Sequence, residues 1–306
     1  MYSEAELRAL ATIEDEPTVS DLADNLERSL SYTSELVTRM ESKGLIHTSS
    51  KGKTKRIQRS DAHAIELYDR FVHRYTHIPF PELLSGATLK ILYNLDSPAS
   101  ATELAEQADV HLSTVHRSLS PLENRGIVYK INGEYALNGE FEDLSVLAQS
   151  FSHLRNRERV DDQVTSYTIL WESLDEVLVQ TDEEIDDKRF HLTGPERFQD
   201  YGLPLLARQR RYYLYSESAS EISPVELCCH MLVIDDGTRS QSYCLLLLHE
   251  VSFDRETLLT TAERYDVKEI VKNLLAYLDS EGEERSGSLP RWTEFRDLAD
   301  EYGVTV

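Results

Sequence analysis

Cysteine, lysine and long apolar runs are all scarce in this sequence, and each shortage excludes a class of protein. Three cysteines occur among 306 residues, two of them adjacent as Cys228 and Cys229, so we expect a reducing interior and no disulfide framework. The longest strongly apolar run, residues 243–249, is far shorter than the roughly 20 residues of a membrane helix. Because the first residues lack a basic start followed by an apolar run, we expect no signal peptide and a cytoplasmic protein.

Basic side chains, and lysines above all, are outnumbered. The chain has 32 basic against 55 acidic side chains, a formal net charge of −23, and 23 of the 32 basic residues are arginine. A carboxylate-rich surface with few lysines is typical of proteins in a salt-filled cytoplasm, because carboxylates keep water and cations bound. We therefore expect a halophilic protein rather than an ordinary acidic one. The length predicts two or three domains.

Motifs that carry enzyme chemistry are missing as well. The sequence has no P-loop, dinucleotide-binding fingerprint or serine-hydrolase elbow. Asp69, His73 and His77 are spaced by four residues and could share a metal on one helix. His77 lies two residues before Pro79, where a helix is ending, so surface histidines are the better interpretation. We predict no enzyme, no cofactor and no metal.

One phrase occurs twice in the sequence. ESKGLIHTSS at 41–50 and ENRGIVYKIN at 123–132 share a glutamate, a basic residue, a glycine and two aliphatic residues. Gly44 and Gly126 are 82 residues apart, and nothing is inserted over the region that matches. The repeated phrase predicts two copies of one structural unit.

The first copy predicts three helices and a hairpin. Helical spacing covers residues 4–13, VSDLADNLE forms a short helix after Pro17, and SYTSELVTRMESKG forms a longer one. Ser31 is the expected N-cap of this third helix, and Gly44 is the left-handed residue expected at its end. The sequence SSKGKTKRIQR then predicts a hairpin that turns near residues 51–52.

The second copy repeats that order. Residues 83–95 predict the first helix, ATELAEQA the short second one and LSTVHRSLSPLENRG the third. Asn132 and Gly133 between two alternating strands predict a tight hairpin, because both turn residues accept positive φ. Pro121 predicts a kink or an early stop in the third helix.

Three helices followed by a hairpin form the element order of a winged helix-turn-helix. Over residues 4–138 the two copies resemble the MarR-like and ArsR-like winged-helix domains of archaeal transcription regulators. The repeated phrase then marks the end of the recognition helix, its glycine stop and the first strand of the wing. The resemblance implies a protein that binds double-stranded DNA.

Charge and hydroxyl groups mark the surface expected to contact DNA. Residues 51–59 carry five cations and no acid in an otherwise acidic protein, so we expect them to reach phosphates beside the groove. Hydroxyls and an arginine early in the third helix suit base edges. In the first copy the predicted contacts are Ser31, Tyr32, Thr33, Ser34, Thr38, Arg39, Lys51, Lys53, Lys55, Arg56 and Arg59. In the second copy they are Ser113, Thr114, His116, Arg117 and Lys130, with protein contact, often dimerisation, as the alternative.

Two further helices flank the second copy. Residues 61–78 predict a connecting helix whose apolar stripe of Ile65, Tyr68 and Val72 could pair with its twin in a homodimer. Residues 139–160 predict a linker helix that leads to the remainder of the chain.

Residues 161–306 predict a mixed α/β domain, because short apolar runs alternate with polar turns. The runs at 227–234 and 243–251, separated by DDGTRSQS, favour a hairpin. The sequence CCH in the first run would then lie on a strand buried on both sides, where neighbours cannot converge on a metal. Two closing helices follow, the first of them broken near Asp266.

The phrase LTGPERFQDYGLP is similar to the start of nucleotidyltransferase-like domains, including the C-terminal part of antitoxins in abortive-infection systems. The similarity lies in a strand ending in Thr-Gly and a helix ending in Tyr-Gly-Leu. An active enzyme of that kind needs paired acids on the following strand to hold Mg²⁺. The following strand, RRYYLYS, offers arginine and tyrosine, so the resemblance implies a catalytically silent domain used for binding.

Together these patterns predict a multidomain fold. Two tandem winged helix-turn-helix domains, mainly α with β-hairpin wings, precede an α/β (α+β) C-terminal domain for oligomerisation, partner binding or sensing. The expected segments are residues 1–60, 61–78, 79–138, 139–160 and 161–306. We expect a sequence-specific transcription regulator that binds duplex DNA as a homodimer, with a protein partner or small effector at the C-terminal domain and no membrane contact. The alternatives are an antitoxin that neutralises a partner toxin and represses its own operon, and a chromatin or replicon-maintenance factor.

Overall fold

The chain divides into two compact units, Met1–Val160 and Asp161–Val306. The structure, a computed structural model, describes residues 2–51, 54–205, 210–219, 221–287 and 289–306. Among these residues, no helix is both long and apolar enough to cross a membrane.

The first copy folds as three helices and a two-stranded hairpin. Its elements are α1 (Glu4–Thr12), α2 (Val19–Asn25), α3 (Leu30–Glu41), β1 (Ile46–Lys51) and β2 (Thr54–Arg59). Ser29, not Ser31, caps α3, because the Ser29 hydroxyl accepts the Tyr32 N–H; the predicted cap was two residues late. Gly44 has φ +64°, as predicted for the residue that ends this helix.

The connecting helix α4 (His63–Arg74) packs its apolar face into the core of its own unit. Ile65 and Tyr68 are 3% and 1% exposed, and the Tyr68 hydroxyl donates to the Leu7 carbonyl over 2.9 Å. The prediction that this stripe pairs two chains is therefore wrong, because its side chains already pack within one chain.

The second copy departs from its predicted start. Its region contains α5 (Phe80–Leu83), α6 (Thr88–Tyr93), β3 (Ala99–Ser100), α7 (Ala101–Gln107), α8 (Leu112–Glu123), β4 (Val128–Ile131) and β5 (Glu134–Leu137). The single helix expected over 83–95 is interrupted at Gly86, which has φ +64° and donates its N–H to the Tyr2 carbonyl. Of the kink or early stop expected at Pro121, the early stop is wrong, because α8 continues through Pro121 to Glu123.

The hairpin of the second copy forms where it was predicted. Asn132 and Gly133 have φ of 54° and 95°, and β4 pairs with β5 in antiparallel register, Ile131 opposite Glu134. In the three-stranded sheet of β3, β5 and β4, strand β4 lies at an edge.

Helix α9 (Asp143–Asp161) follows a short 3₁₀ helix at Gly139–Phe141. Phe151 of α9 packs against Tyr2 with ring centroids 4.8 Å apart and accepts the Tyr2 hydroxyl at its carbonyl. Leu144, Leu147 and Phe151 are buried in the core that both copies share. This helix is therefore part of the core of the first unit rather than a separate linker.

The second unit contains an antiparallel sheet and five helices among its described residues. The strands are β6 (Tyr167–Glu172), β7 (Val177–Thr181), β8 (Phe190–Thr193) and β9 (Arg211–Tyr215), in the order β6-β7-β9-β8. The helices are α10 (Pro224–Ile234), α11 (Thr238–Glu250), α12 (Arg255–Arg264), α13 (Lys268–Asp279) and α14 (Trp292–Tyr302), and a 3₁₀ helix covers Gly194–Tyr201. The mixed α/β content was predicted correctly.

The hairpin predicted over residues 227–251 is wrong, because α10 and α11 occupy it. Ser223 and Glu226 form a capping box at the start of α10, with Pro224 at its first position. Both helices are buried nearly all round, so their runs carry no 3.6-residue alternation to distinguish them from buried strands. The helix break near Asp266, which has φ 61°, was predicted correctly.

Candidate nucleic-acid interface

One face of α3 is exposed along its whole length. Leu36, Val37 and Met40 pack into the core. The opposite face presents Ser31, Tyr32, Ser34, Thr38 and Arg39. Thr33 was predicted to be exposed, but it is buried, because it lies on the core side of the helix. Thr33 therefore leaves the candidate interface, and the other five residues remain on one accessible surface.

A buried carboxylate ties the end of α3 to α1. Glu6 is 1% exposed, and its carboxylate accepts Lys43 Nζ at 2.7 and 2.9 Å and the Ser3 N–H at 2.7 Å. Arg39 Nε lies 3.9 Å from the same carboxylate. Burial raises the pKa of Glu6, but the hydrogen bonds from Lys43 and Ser3 together lower that pKa below its ordinary value. The anchored carboxylate fixes the base of the exposed helix face.

The cations of the first hairpin have partners supplied by other elements. Lys55 pairs with Glu41 at 3.2 Å, and Arg59 forms an ion pair with Asp69 of α4. Arg56 donates to the Glu16 carbonyl over 3.0 Å. The sequence showed no acid within residues 51–59, but the fold brings acids to two of these cations from outside that segment. The side chain of Lys51 and the whole of Lys53 lie outside the described residues.

Arg28 is a candidate contact that the sequence analysis missed. It directly precedes Ser29, the cap of α3, and its guanidinium lies 5.9 Å from the centroid of the Tyr32 ring. It is exposed and has no ion-pair partner within the described part of the chain. Its position in the sequence, one residue before the N-cap of the third helix, could have indicated a DNA contact.

In the second copy, α8 presents a matching exposed face. His111 caps this helix, its Nδ1 accepting the Ser113 N–H over 3.2 Å. Ser113, His116 and Arg117 are exposed and Thr114 is half-buried. Arg117 has no ion-pair partner among the described residues, so its guanidinium remains available.

Two predicted contacts of the second copy turn toward Tyr135. His116 Nδ1 lies 3.1 Å from the Tyr135 hydroxyl, and Lys130 Nζ lies 4.6 Å from the centre of its ring. Tyr135 is itself 4% exposed. His116 therefore links α8 to the second hairpin, whereas the contact of Lys130 lies within the hairpin itself.

The outer faces of the two hairpins differ in polarity. In the second hairpin Tyr129 and Ile131 are 42% and 58% exposed. The residues 82 positions earlier, His47 and Ser49, are exposed and polar. The first hairpin therefore suits the DNA backbone better than the second.

Most of the net negative charge belongs to the second unit. Residues 1–160 contain 18 basic and 24 acidic side chains, a formal charge of −6, whereas residues 161–306 contain 14 and 31, a formal charge of −17. Repulsion of DNA phosphates is therefore weaker in the unit that carries the exposed helices.

Comparison with known protein families divides the chain in a similar way. Residues 88–131, from the start of α6 to the end of β4, match the model of the IclR helix-turn-helix domain. Residues 187–304 match the model of a C-terminal domain family designated HVO_2833_C. A search of curated proteins gave no match. The first match supports DNA binding and transcription regulation through a helix-turn-helix, and it contains all five contacts predicted for the second copy.

Proposed function

We propose that this protein is a sequence-specific transcription regulator that holds duplex DNA with two tandem winged helices. In each copy the third helix enters the major groove, and the hairpin that follows lies along the phosphate backbone. The protein acts by binding and has no catalytic activity of its own.

The observation that carries this proposal is the helix-turn-helix match over residues 88–131, combined with the internal repeat. The match covers α8 and so supports its role as the recognition helix of the second copy. The offset of 82 residues between Gly44 and Gly126 relates α8 to α3, and both helices present exposed hydroxyls and an exposed arginine. The assignment extends to the first copy because its helices and hairpin follow in the same order.

The two copies contribute differently in this proposal. The first reads bases with Ser31, Ser34 and Arg39, while its polar hairpin contacts phosphates. The second reads bases with Ser113 and Arg117. Its hairpin, with Tyr129 and Ile131 exposed, contributes less to phosphate binding.

Source and family are also part of the proposal. The acid excess and the ratio of 23 arginines to 9 lysines support a protein adapted to high salt. The order of three helices and a hairpin in each copy supports winged helices of the archaeal MarR or ArsR type. Circular dichroism across a KCl series tests the halophilic character. The native spectrum is expected only at high KCl, and a fold that persists unchanged at low salt contradicts it.

Genome-wide binding of the tagged protein in its host, followed by titration of the recovered sites, tests the function. We expect discrete sites upstream of genes, and tighter binding to a recovered duplex than to a scrambled one of equal length and composition. Binding spread evenly over the genome, with equal affinity for both duplexes, would favour a chromatin factor and overturn sequence-specific regulation.

A further inference from the structure

A cavity of about 310 Å³ lies within the second unit. It is bounded by the 3₁₀ helix Gly194–Tyr201, strand β9, the end of α10 and the start of α11. Met231, Ile234 and Leu205 supply apolar walls, and the rings of Tyr212 and Tyr243 supply aromatic ones. This size is at the lower end of the range typical of small-molecule sites.

The 3₁₀ helix packs closely against α10 at one side of this cavity. Gly194 has φ +71°, and a Cβ at this position would lie 2.8 Å from Ile234 Cδ1, so only glycine lets the 3₁₀ helix begin against α10. On the other side, Ser240 and Tyr243 of α11 are 3% and 7% exposed. Packed elements therefore frame the cavity on these two sides.

Two arginines line the cavity without a carboxylate partner. Neither Arg210 nor Arg239 forms an ion pair with any described residue, although the chain has far more acids than bases. Five of the eight other described arginines of this unit do form such pairs, whereas Arg285, Arg291 and Arg296 do not. Those paired with an aspartate or glutamate are Arg189, Arg197, Arg211, Arg255 and Arg264.

Arg239 is held in place by its own helix. Its Nε donates to the Tyr243 hydroxyl over 2.8 Å, and its guanidinium carbon lies 5.4 Å from the centre of that ring. The four N–H groups on its two terminal nitrogens donate to no described partner. A planar anion that meets this fork would gain paired, charge-assisted hydrogen bonds.

The two acids that line the cavity do not occupy these donors. Asp235 accepts the Gly237 N–H and the Ser240 hydroxyl, so its carboxylate caps the start of α11. Glu196 forms no described ion pair with Arg210 or Arg239. The formal charges of the four side chains cancel, so it is the unfilled donors, not the net charge, that select the ligand.

We propose that this cavity binds a small organic carboxylate, with its anionic group on Arg239 and Arg210 and its apolar body against Met231 and Ile234. The guanidinium forks match the planar carboxylate, and the apolar and aromatic walls match a compact hydrocarbon or aromatic body. Binding at this site goes beyond DNA recognition and is tested without DNA.

Isothermal titration of the full chain in KCl tests the proposal with benzoate and isovalerate as carboxylate probes. Benzyl alcohol serves as the uncharged analogue of benzoate, and inorganic phosphate as an anion without an apolar body. We expect at least one carboxylate to saturate a single site, with no saturation by benzyl alcohol. Saturation by phosphate alone, or by none of the four compounds, overturns the proposal.

Variants localise the binding. Arg239→Gln is expected to weaken carboxylate binding about tenfold or more, since it removes a charge-assisted pair. Arg255→Gln is the matched control, because Arg255 pairs with Asp279 outside the cavity. Arg210→Gln repeats the test at the cavity rim if Arg239→Gln lowers the folded fraction. Wild-type affinity in both cavity variants contradicts the proposed site.

Discussion

At the scale of single residues, Arg39 is the side chain of α3 best suited to read a guanine. Its side chain is 48% exposed, and it approaches Glu6 only through Nε, so its terminal nitrogens remain available for a base edge. We expect Arg39→Ala to cost about 1–3 kcal/mol on a cognate duplex and little on a scrambled one. Competition anisotropy measures both, with Arg8→Ala on α1 as control. Equal losses on the two duplexes would make Arg39 a phosphate contact.

Glu6 has a separate, structural role at the same scale. Its pKa is lower in the folded protein than its ordinary value, so its contribution to stability is present above the ordinary pKa and is lost as pH falls through the folded one. We expect Glu6→Gln to destabilise the protein at neutral pH by about 1–3 kcal/mol, because the Lys43 ammonium loses its charged partner. Unfolding measured at neutral and acidic pH should show the difference shrinking in acid. A difference that is constant with pH contradicts the anchor.

At the scale of elements, the first hairpin contains cations of two kinds. Arg59 lies on the same face of β2 as buried Ile57 and pairs with Asp69, so Arg59→Ala is expected to lower stability. The side chain of Lys55 is 41% exposed against 21% for Arg59, and Arg56 lies on the opposite face of β2. Replacing Lys55 and Arg56 together by alanine should weaken binding to all sequences and reduce the salt slope by about 2. Arg70→Ala on α4 provides the control. An unchanged salt slope removes this hairpin from the interface.

The glycines that follow α3 and α8 offer a matched comparison. Gly44 is buried, and a Cβ there would lie 2.4 Å from Glu158 Oε1 and 3.0 Å from Leu154 Cδ1, both on α9. Gly126 has nothing within 4 Å. Both glycines have positive φ, so alanine costs about 1 kcal/mol at either position. Gly44→Ala should cost more in chemical unfolding because the side chains of Glu158 and Leu154 must also shift, and equal costs would contradict their close approach to Gly44.

The sequence predicted local features of these elements well. The glycine stops at Gly44 and Gly126 and the turn at Asn132 and Gly133 were predicted correctly, because positive φ depends on the residue itself and its immediate neighbours. The helices α10 and α11 were not predicted, because complete burial removes the periodicity that identifies a helix.

Long-range partners explain the remaining differences. The ion pairs of Lys55 with Glu41 and of Arg59 with Asp69 join residues 14 and 10 positions apart. These pairs could not be predicted from a local sequence pattern. Thr33 was assigned to the wrong face, although it lies three, four and seven residues before the core positions Leu36, Val37 and Met40. The repeat of two copies was nevertheless visible from the sequence alone.

At the scale of the whole molecule, we predict a homodimer on an inverted repeat. At molar salt the Debye length falls to about 3 Å, so attraction to DNA is screened and specific binding needs many direct contacts. Two-fold symmetry doubles the half-sites. Since the stripe on α4 is buried, other surfaces must form the contact. Light scattering in high KCl is expected to give a dimer, and a monomer that binds as one chain per duplex contradicts it.

We propose that exposed side chains of α3 and α8 read the DNA sequence. Replacing Arg117 of α8 tests this proposal. Arg125 is the matched control, because it is exposed just beyond the same helix and donates to the Pro121 carbonyl. Competition between a recovered operator and a scrambled duplex measures the difference between their binding free energies. Arg117→Ala should lower this difference by about 1–3 kcal/mol, and Arg125→Ala should leave it unchanged. An unchanged ratio for Arg117→Ala, or equal losses in both variants, would contradict base reading by α8.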